Sequence, residues 1–258
     1  MGSLKEKGKM NSIKLSVVIP CYNEESRITA TLEKVVVYLK ESNFSSEIIV
    51  VDDGSSDNTK EVLEECCKAH NEIDIISNKQ NHGKGFAVRQ GILNARGEYI
   101  LFADADLSTP IEELTKFLYW LENGYEIAIA SRNIKNADVK IISPLSRTIM
   151  GKIFNFFVRI LVLPDFYDTQ CGFKCFKRDA ALDIFKKQKN DKFSFDVEVL
   201  YLAKILGYKI KEVPVNWHYA SSSKIRIFRD SIKMFFDVLE IKRRIETEHK
   251  GKYNNSNL

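Results

Sequence analysis

Residues 99–106 read Tyr99-Ile100-Leu101-Phe102-Ala103-Asp104-Ala105-Asp106, an apolar run that ends in two carboxylates. A short apolar run bounded by polar residues is typical of a buried β-strand. Runs of the same kind, rich in β-branched residues, lie at 13–19, 47–51, 73–77 and 126–130. Between them are amphipathic stretches, at about 25–42, 57–70, 84–96 and 111–123. Strands that alternate with helices of this length predict an α/β, Rossmann-like fold, in which helices cover both faces of a mostly parallel sheet.

Polar residues follow three of the predicted strands at the point where each strand ends. These junctions are Pro20-Cys21-Tyr22-Asn23-Glu24, Asp52-Asp53-Gly54-Ser55-Ser56-Asp57 and Asp104-Ala105-Asp106-Leu107-Ser108. In open sheets of this kind the ligand lies outside the carboxyl ends of the strands, so we expect all three junctions at one edge. Carboxylates gathered there repel one another unless a cation or hydrogen-bond donors offset them. The sequence therefore indicates a metal or a ribose at this edge.

The two carboxylates that end the 99–103 run suit a hard cation. Asp104 and Asp106 offer the oxygen ligands that Mg²⁺ or Mn²⁺ prefers, and such an ion also takes oxygens from a diphosphate. The alternative is a solvated turn that caps a helix starting at Ile111.

The other two polar segments also allow two interpretations. Residues 52–57 form a turn with an N-cap at Ser56 or Asp57, and Asp53 is placed to accept hydrogen bonds from a base or ribose. His82-Gly83-Lys84-Gly85 lacks the spacing of a Walker loop or a dinucleotide fingerprint. It is either a plain turn or a close approach of the backbone to a ligand, with Lys84 near its phosphates.

The second half of the chain predicts two amphipathic helices. In the first, 148–163, one narrow polar stripe interrupts apolar residues: Thr148, Lys152, Asn155 and Arg159. In the second, 225–244, an apolar face holds Ile225, Phe228, Ile232, Phe235 and Leu239, and a polar face holds Arg229, Lys233, Asp237, Glu240 and Arg244. Each helix either lies in a membrane interface or docks on the protein's own core. Between them, 194–206 predicts a helix and 209–217 a strand.

Charge and cysteine usage exclude several classes of protein. The net charge of +4 resides at the ends, with +3 in residues 1–14 and +4 in 224–258 against −3 between them. A nucleic-acid binder carries its basic stripe through the fold, so nucleic acid is not expected, and basic ends suit solvated tails or an anionic membrane surface. The five cysteines form no CxxC pair, which indicates reduced thiols. No secretory signal or membrane-spanning run is expected.

The motifs occur in a fixed order along the chain. The three junctions and Gly83-Lys84-Gly85 are followed by Asp168-Thr169-Gln170-Cys171-Gly172-Phe173-Lys174, Phe195-Asp196-Val197-Glu198, Val215-Asn216-Trp217 and Ser223-Lys224. The ordered set resembles the family-two inverting glycosyltransferases of the GT-A fold. Its later motifs are similar to the polyprenyl-phosphate branch of that family, above all to dolichyl-phosphate β-glucosyltransferases. The resemblance covers about residues 14–245.

The resemblance implies a role for each motif residue. The nucleoside would be held by Pro20, Tyr22, Asn23, Glu24 and Asp53. Asp104 and Asp106 would handle the diphosphate and a Mg²⁺ or Mn²⁺ ion, with Asp106 as the more direct ligand, and Ser108, where mannose synthases carry Gln, leaves the third protein ligand open. The acceptor phosphate would meet Arg132, with Arg147 and Lys224 as further candidates. Asp168 and Asp196 would orient sugar hydroxyls, and the alternative for Asp196 is a buried network.

The implied activity is inverting transfer of a hexose, glucose favoured, from a nucleotide-sugar to a polyprenyl or dolichyl phosphate at a membrane surface. UDP-glucose is the favoured donor and GDP-mannose the alternative. A lipid phosphate, with a second pKa of about 6, needs little help from a general base. The rivals are a dolichyl-phosphate mannose synthase, a transferase acting on a polysaccharide hydroxyl, and a nucleotide-sugar-binding scaffold.

The expected organisation is one catalytic domain with short appendages. A flexible basic segment at 1–13 precedes a GT-A domain at 14–220 that includes an interface helix at about 146–163. An amphipathic helix at 221–247 and a disordered tail at 248–258 follow. The expected location is peripheral, on the cytosolic face of a membrane: the endoplasmic reticulum in a eukaryote, the plasma membrane in a prokaryote. A membrane protein or a second copy of the chain are further candidate partners.

Overall fold

The computed structural model of the chain describes residues 13–140, 145–218 and 227–255. The strands are β1 Leu15–Cys21, β2 Ser46–Asp52, β3 Ile73–Ser77, β4 Tyr99–Ala103, β5 Ile127–Ser131, β6 Asp138–Lys140, β7 Phe173–Lys177, β8 Ile210–Pro214 and β9 Asn216–His218. The helices are α1 Ile28–Glu41, α2 Thr59–Ala69, α3 Lys84–Asn94, α4 Leu114–Glu122, α5 Leu145–Leu161, α6 Arg178–Phe185, α7 Phe195–Ile205 and α8 Ile227–Asn255. A short 3-10 turn, Ile111–Glu113, leads into α4.

The predicted mostly parallel sheet is confirmed. In the described part of the chain, seven strands form the central sheet in the order β3-β2-β1-β4-β7-β5-β8. Strand β7 runs antiparallel to both of its neighbours, β4 and β5. The pairs β1–β2, β1–β4, β2–β3 and β5–β8 are parallel. The predicted strand 209–217 is divided, because β8 joins the central sheet whereas β9 pairs with β6.

Apolar cores cover both faces of the sheet, which explains why the run at 99–103 is continuously apolar. Successive side chains of a strand point to opposite faces. Ile100 and Phe102 accordingly pack in a core with α3, α5, α6, α7 and α8, whereas Leu101 and Ala103 pack in a second core with α1, α2 and α4. A strand that is buried on both faces has no solvent-exposed face, so its sequence does not alternate between apolar and polar residues. All five cysteines lie in the described residues and are free thiols.

The first predicted helix, 148–163, lies where the structure has α5, Leu145–Leu161, and this helix is apolar on two sides. Phe154 and Val158 are buried in the core. The polar residues Asn155 and Arg159 contact Tyr167: the Asn155 amide donates to its carbonyl, and the Arg159 guanidinium lies over its ring. An outer row remains exposed, consisting of Ile153, Phe156, Phe157 and Ile160.

The second amphipathic helix, α8, differs from its prediction in two respects. Its buried face consists of Val238, Ile241 and Ile245, whereas Leu239 of the predicted apolar face is 38% exposed. The helix also continues to Asn255, into the segment 248–258 for which a disordered tail was predicted. Phe235 packs edge-to-face on Phe157, with ring centroids 5.2 Å apart, and so joins α8 to α5. Apolar residues therefore occur on more than one side of the described part of this helix.

Candidate functional site

The three polar junctions meet at one edge of the sheet, as predicted. Strand β1 lies between β2 and β4 and is parallel to both, and Cys21 at the end of β1 is in register with Asp52 at the end of β2. Antiparallel β7 starts at this edge, where the carbonyl of Gly172 accepts a hydrogen bond from the Asp104 N–H at 2.9 Å. The 168–174 motif therefore belongs to the same site as Asp104.

The first two junctions are tied to each other by hydrogen bonds. Asn23, whose φ of 54° is in the left-handed region, accepts the Ser56 N–H on Oδ1 at 2.7 Å. Its own N–H donates to Ser55 Oγ at 2.8 Å, and the Glu24 N–H donates to Thr59 Oγ1 at 2.7 Å. Asn23 and Glu24 thus hold the loop between β1 and α1 against the start of α2.

The predicted N-cap of α2 is displaced by one or two residues. The helix begins at Thr59, and Asn58 occupies the N-cap position that was predicted for Ser56 or Asp57. Asp57 nevertheless accepts the N–H of Thr59 at 3.0 Å and its hydroxyl at 2.6 Å.

Asp53 binds the glycine-rich loop. Its carboxylate is 2% exposed and accepts the N–H of Gly83 at 2.7 Å, the N–H of His82 at 3.1 Å and the side-chain amide of Asn78 at 3.1 Å. In the structure Asp53 therefore fixes residues 82–83, and its contact with a base or ribose stays a prediction.

The glycines on either side of Lys84 approach the protein's own backbone. A Cβ on Gly83 would lie 2.3 Å from the Asp191 carbonyl oxygen, and one on Gly85 would lie 2.4 Å from that of Asn190. Both glycines thus pack closely on residues 190–191, and an approach of this backbone to a ligand, one of the two interpretations, stays a prediction. What the loop presents to the site is the side chain of Lys84.

Lys84 and Asp104 form a half-buried ion pair, with Nζ and Oδ1 2.7 Å apart. Burial alone would lower the pKa of Lys84, but the carboxylates of Asp104, Asp196 and Asp106 outweigh it, so this pKa is raised. Burial raises the pKa of Asp104, Lys84 opposes that shift, and Asp106 and Asp196 add to it. Two carboxylates, those of Asp104 and Asp106, thus stand near the single ammonium of Lys84 at this edge.

This pair of carboxylates fits a divalent cation. Asp106 accepts the Ser108 N–H on Oδ1 at 2.9 Å and lines a cleft of about 460 Å³ together with Ser108 and His218. Among residues 13–140, 145–218 and 227–255, no group of three or more acidic, His or Cys side chains is arranged to hold a metal. If a divalent ion binds at this edge, Asp104 and Asp106 offer it carboxylate oxygens, and substrate and water can supply further ligands.

Arg132 and Asp168, predicted separately, form one bidentate ion pair. Arg132 Nε lies 2.6 Å from Oδ2 of Asp168, and Nη2 lies 2.9 Å from Oδ1. Burial alone would raise the pKa of Asp168, but the charge and hydrogen bonds of Arg132 outweigh it, so this pKa is lowered. The guanidinium carbon is 5.2 Å from the centre of the Trp217 ring. A guanidinium has five N–H groups, so the contacts with described residues leave three of them for another anion.

Asp196 belongs to a buried network, the alternative that was left open for it. Its Oδ1 lies 2.5 Å from Nζ of Lys174, which also donates to the Cys171 carbonyl at 2.7 Å. The side chains of Lys174 and Asp196 are 1% and 4% exposed. No role was predicted for Lys174, although a lysine flanked by Phe173 and Cys175 in a buried strand requires a carboxylate partner.

The other predicted residues are less directly placed. Pro20 is buried in β1 opposite Val51, and Tyr22 is half-exposed at the end of that strand. Arg147 lies in the first turn of α5, with its side chain outside the described part, and Lys224 lies outside the described residues altogether.

The comparisons with known proteins agree with this geometry. A family model described as "Glycosyl transferase family 2" matches residues 16–185, more than half of the chain, and the chain belongs to this family of glycosyltransferases. It is similar to the dolichyl-phosphate beta-glucosyltransferases of Dictyostelium discoideum and Saccharomyces cerevisiae, with 36% and 39% identity. Each of these matches covers 93% of this chain and 77% of the relative.

A solved structure shows the same fold. The glucosyl-3-phosphoglycerate synthase of Mycobacterium tuberculosis, in complex with Mn²⁺, UDP and glucosyl-3-phosphoglycerate, superposes with a TM-score of 0.63 at 18% identity. The match covers 89% of this chain and 78% of that one. The predicted GT-A fold is thereby confirmed.

Proposed function

We propose that the protein transfers glucose from UDP-glucose to dolichyl phosphate, with inversion at the anomeric carbon. The observation that carries the proposal is the arrangement of charged side chains at this edge of the sheet. Asp104 and Asp106 lie beside Lys84, and Asp168 of the adjoining 168–174 motif pairs with Arg132. The relatives that share more than a third of the sequence bear the name of this activity.

On the donor side, Lys84 and the two carboxylates act on the diphosphate. Asp104 and Asp106 would hold Mg²⁺ or Mn²⁺, which supplies neutralisation of the charge that develops on the departing nucleotide. The ammonium of Lys84 is already positioned by Asp104, so it needs no reorganisation when the diphosphate arrives. Asn23, Glu24 and Asp53 keep the two adjoining loops in place for the nucleoside.

On the acceptor side, Arg132 receives the lipid phosphate. Asp168 fixes the guanidinium with two hydrogen bonds, and the three remaining N–H groups suit phosphate oxygens. An alkyl phosphate is largely ionised near neutral pH, so positioning and charge neutralisation replace a general base. The phosphate oxygen then attacks C1 of glucose from the face opposite the nucleotide, the bond from C1 to the diphosphate oxygen breaks, and UDP leaves.

The apolar surface of α5 and α8 would rest on the membrane that contains the acceptor. Phe156 and Ile160 on α5 are 60% and 65% exposed, and Phe236 on α8 is 63% exposed. No helix within the described ranges is long and apolar enough to cross a membrane. Clustered exposed aromatic and aliphatic side chains mark an interaction surface, and a peripheral position on the cytosolic face suits the five free thiols.

The membrane claim is tested by flotation with vesicles of anionic phospholipid. The double variant Phe156→Ser/Ile160→Ser should bind the vesicles at least about tenfold less well, because two large apolar side chains no longer enter the interface. Val37→Ser, which removes an apolar side chain that is 53% exposed on α1, is the matched control and should float like the wild type. Equal flotation of all three proteins would contradict the assignment, and loss of a dimer in the double variant would assign the surface to a second copy.

The activity is tested by offering three acceptors with radiolabelled UDP-glucose and Mn²⁺. Dolichyl phosphate should take up label, whereas dolichol and a soluble glucan should not, since neither carries the phosphate that Arg132 binds. Label in the glucan alone would favour the rival polysaccharide reaction. Donor binding without turnover on any acceptor would favour the scaffold.

A further inference from the structure

Glu198 on α7 is a fully buried carboxylate for which the proposed reaction has no use. Its Oε1 accepts the Lys189 N–H at 2.8 Å, and its Oε2 accepts the Asn190 N–H at 2.6 Å. Arg244 on α8 pairs with Oε1 from the other side. Burying a carboxylate is costly unless partners compensate it, and here a cation and two N–H groups do so.

The segment that Glu198 holds, residues 188–192, lies on the first turn of α3. The Asp191 carbonyl accepts the Phe86 N–H at 3.2 Å, and the Gln188 amide donates to the Gly85 carbonyl at 3.1 Å. The absence of side chains at Gly83 and Gly85 makes this contact possible, because a Cβ at either position would collide with a carbonyl of residues 190–191.

Lys84 stands between these two glycines. From the side of β2, Asp53 holds Gly83; from the side of α7, segment 188–192 holds Gly85 and Phe86. The backbone on both sides of Lys84 is thereby held in place, and its side chain points toward Asp104. Releasing either flank frees the turn that carries the ammonium.

We infer that Glu198 is a positioning residue for the donor site. It anchors segment 188–192, and this segment keeps Lys84 at Asp104; Arg244 completes the anchor from α8. The inference rests on the proposed role of Lys84 at the diphosphate of the donor. Neither Glu198 nor Arg244 touches the substrates in this account.

The test is binding of UDP-glucose by the full chain with Mn²⁺ present, together with the KM of each substrate. In Glu198→Gln the side-chain N–H₂ faces a backbone N–H of Lys189 or Asn190, so one hydrogen bond is lost. The substitution also removes the negative charge that pairs with Arg244. The dissociation constant and KM for UDP-glucose should rise about tenfold, the size of one lost charge-assisted hydrogen bond, while the KM for dolichyl phosphate stays unchanged. Glu246→Gln, on the half-exposed part of α8, is the matched control and should behave like the wild type.

Arg244 provides a second, milder perturbation. Arg244→Gln should weaken donor binding, and Arg244→Lys should restore most of it, since a cation again faces Glu198. Arg243→Gln alters the exposed neighbour and should have no effect. In Arg244→Gln, amide hydrogen exchange at residues 83–86 should be faster than in the wild type, with exchange in α1 unchanged.

The outcomes separate the inference from the proposed function. Wild-type protein that binds no nucleotide-sugar would refute the proposed function. Wild-type binding with unaltered donor affinity in Glu198→Gln would overturn the inference, as would a parallel rise of both KM values, which indicates a merely structural role. If Glu198→Gln does not fold, unchanged exchange at 83–86 in Arg244→Gln overturns it.

Discussion

Replacing Gly172 with alanine places a methyl group inside the carboxylate of Asp104. The added Cβ would lie 1.9 Å from Oδ2, 2.2 Å from Cγ and 2.5 Å from Oδ1. Contacts of a Cβ below 3.0 Å do not occur in practice, so the carboxylate must retreat by about 1 Å or more. The backbone of Gly172 is not in the left-handed region, and alanine therefore disturbs the site by its volume alone.

The expected loss follows from that displacement. A shift of about 1 Å in a catalytic group costs about a hundredfold in rate, so kcat of Gly172→Ala should fall by about that factor. Overpacking costs about 1–3 kcal/mol, which a domain with a typical stability of about 5–15 kcal/mol survives. The variant should therefore be folded and nearly inactive.

Steady-state transfer of labelled glucose, with urea unfolding of the same preparations, measures both quantities. The matched control is Gly151→Ala, at a position in α5 where an added Cβ meets nothing within 4 Å. That variant should keep full activity, and its free energy of unfolding should rise by about 0.5–1 kcal/mol, because alanine is the better helix former. Wild-type kcat in Gly172→Ala would refute the placement of Asp104 in the reaction.

Three further predictions concern the charged pairs. Asp168→Asn should lower the free energy of unfolding by about 3 kcal/mol at pH 7, because Arg132 is left without its carboxylate. The pKa of Asp168 is lowered in the folded state, so its contribution is present above the ordinary carboxyl pKa of about 3.9 and is lost as pH falls through the folded pKa. The gap between wild type and variant in urea unfolding should thus shrink toward pH 2, and a constant gap would contradict the pairing. Lys174→Met should lower the free energy of unfolding by about 3–5 kcal/mol, because the buried Asp196 carboxylate loses its cation. The double variant Lys174→Met/Asp196→Leu should recover most of that stability, and no recovery would show that the two residues do not interact. Lys84→Gln should raise the KM for UDP-glucose about tenfold or more with little change in the KM for dolichyl phosphate, and a change confined to the lipid would place Lys84 on the acceptor side.

The position of the site could be predicted from sequence because it depends on short-range patterns. The apolar run 99–103 fixes a strand buried on both faces, and the carboxylates after it must then lie at the sheet edge. Alternation of strands and helices makes β1, β2 and β4 parallel, which brings the three junctions together. The position of Asp104 and Asp106 at this edge of the sheet follows from these two facts alone.

Strand β7 could not be found in this way. Lys174 interrupts its apolar pattern, and the charge is compensated by Asp196, which lies 22 residues further along the chain. The pairing of Arg132 with Asp168 spans 36 residues and likewise leaves no local signal. Such contacts are decided by the tertiary fold, so the sequence showed the residues but not their partners.

The orientation of α8 shows a different limit. Phe236 and Leu239 are exposed, whereas Val238, Ile241 and Ile245 are buried, so apolar residues occupy more than one face. Periodicity identifies the helix but does not tell which apolar face meets the core.

The most direct test of the central claim compares wild type with Asp106→Asn in the transfer of labelled glucose from UDP-glucose to dolichyl phosphate at saturating Mn²⁺. The wild type should place the label in the lipid fraction as the β-anomer, and Asp106→Asn should lose about a hundredfold or more of that rate while remaining folded. Absence of label from the lipid with the wild type, or full activity in Asp106→Asn, would contradict the account.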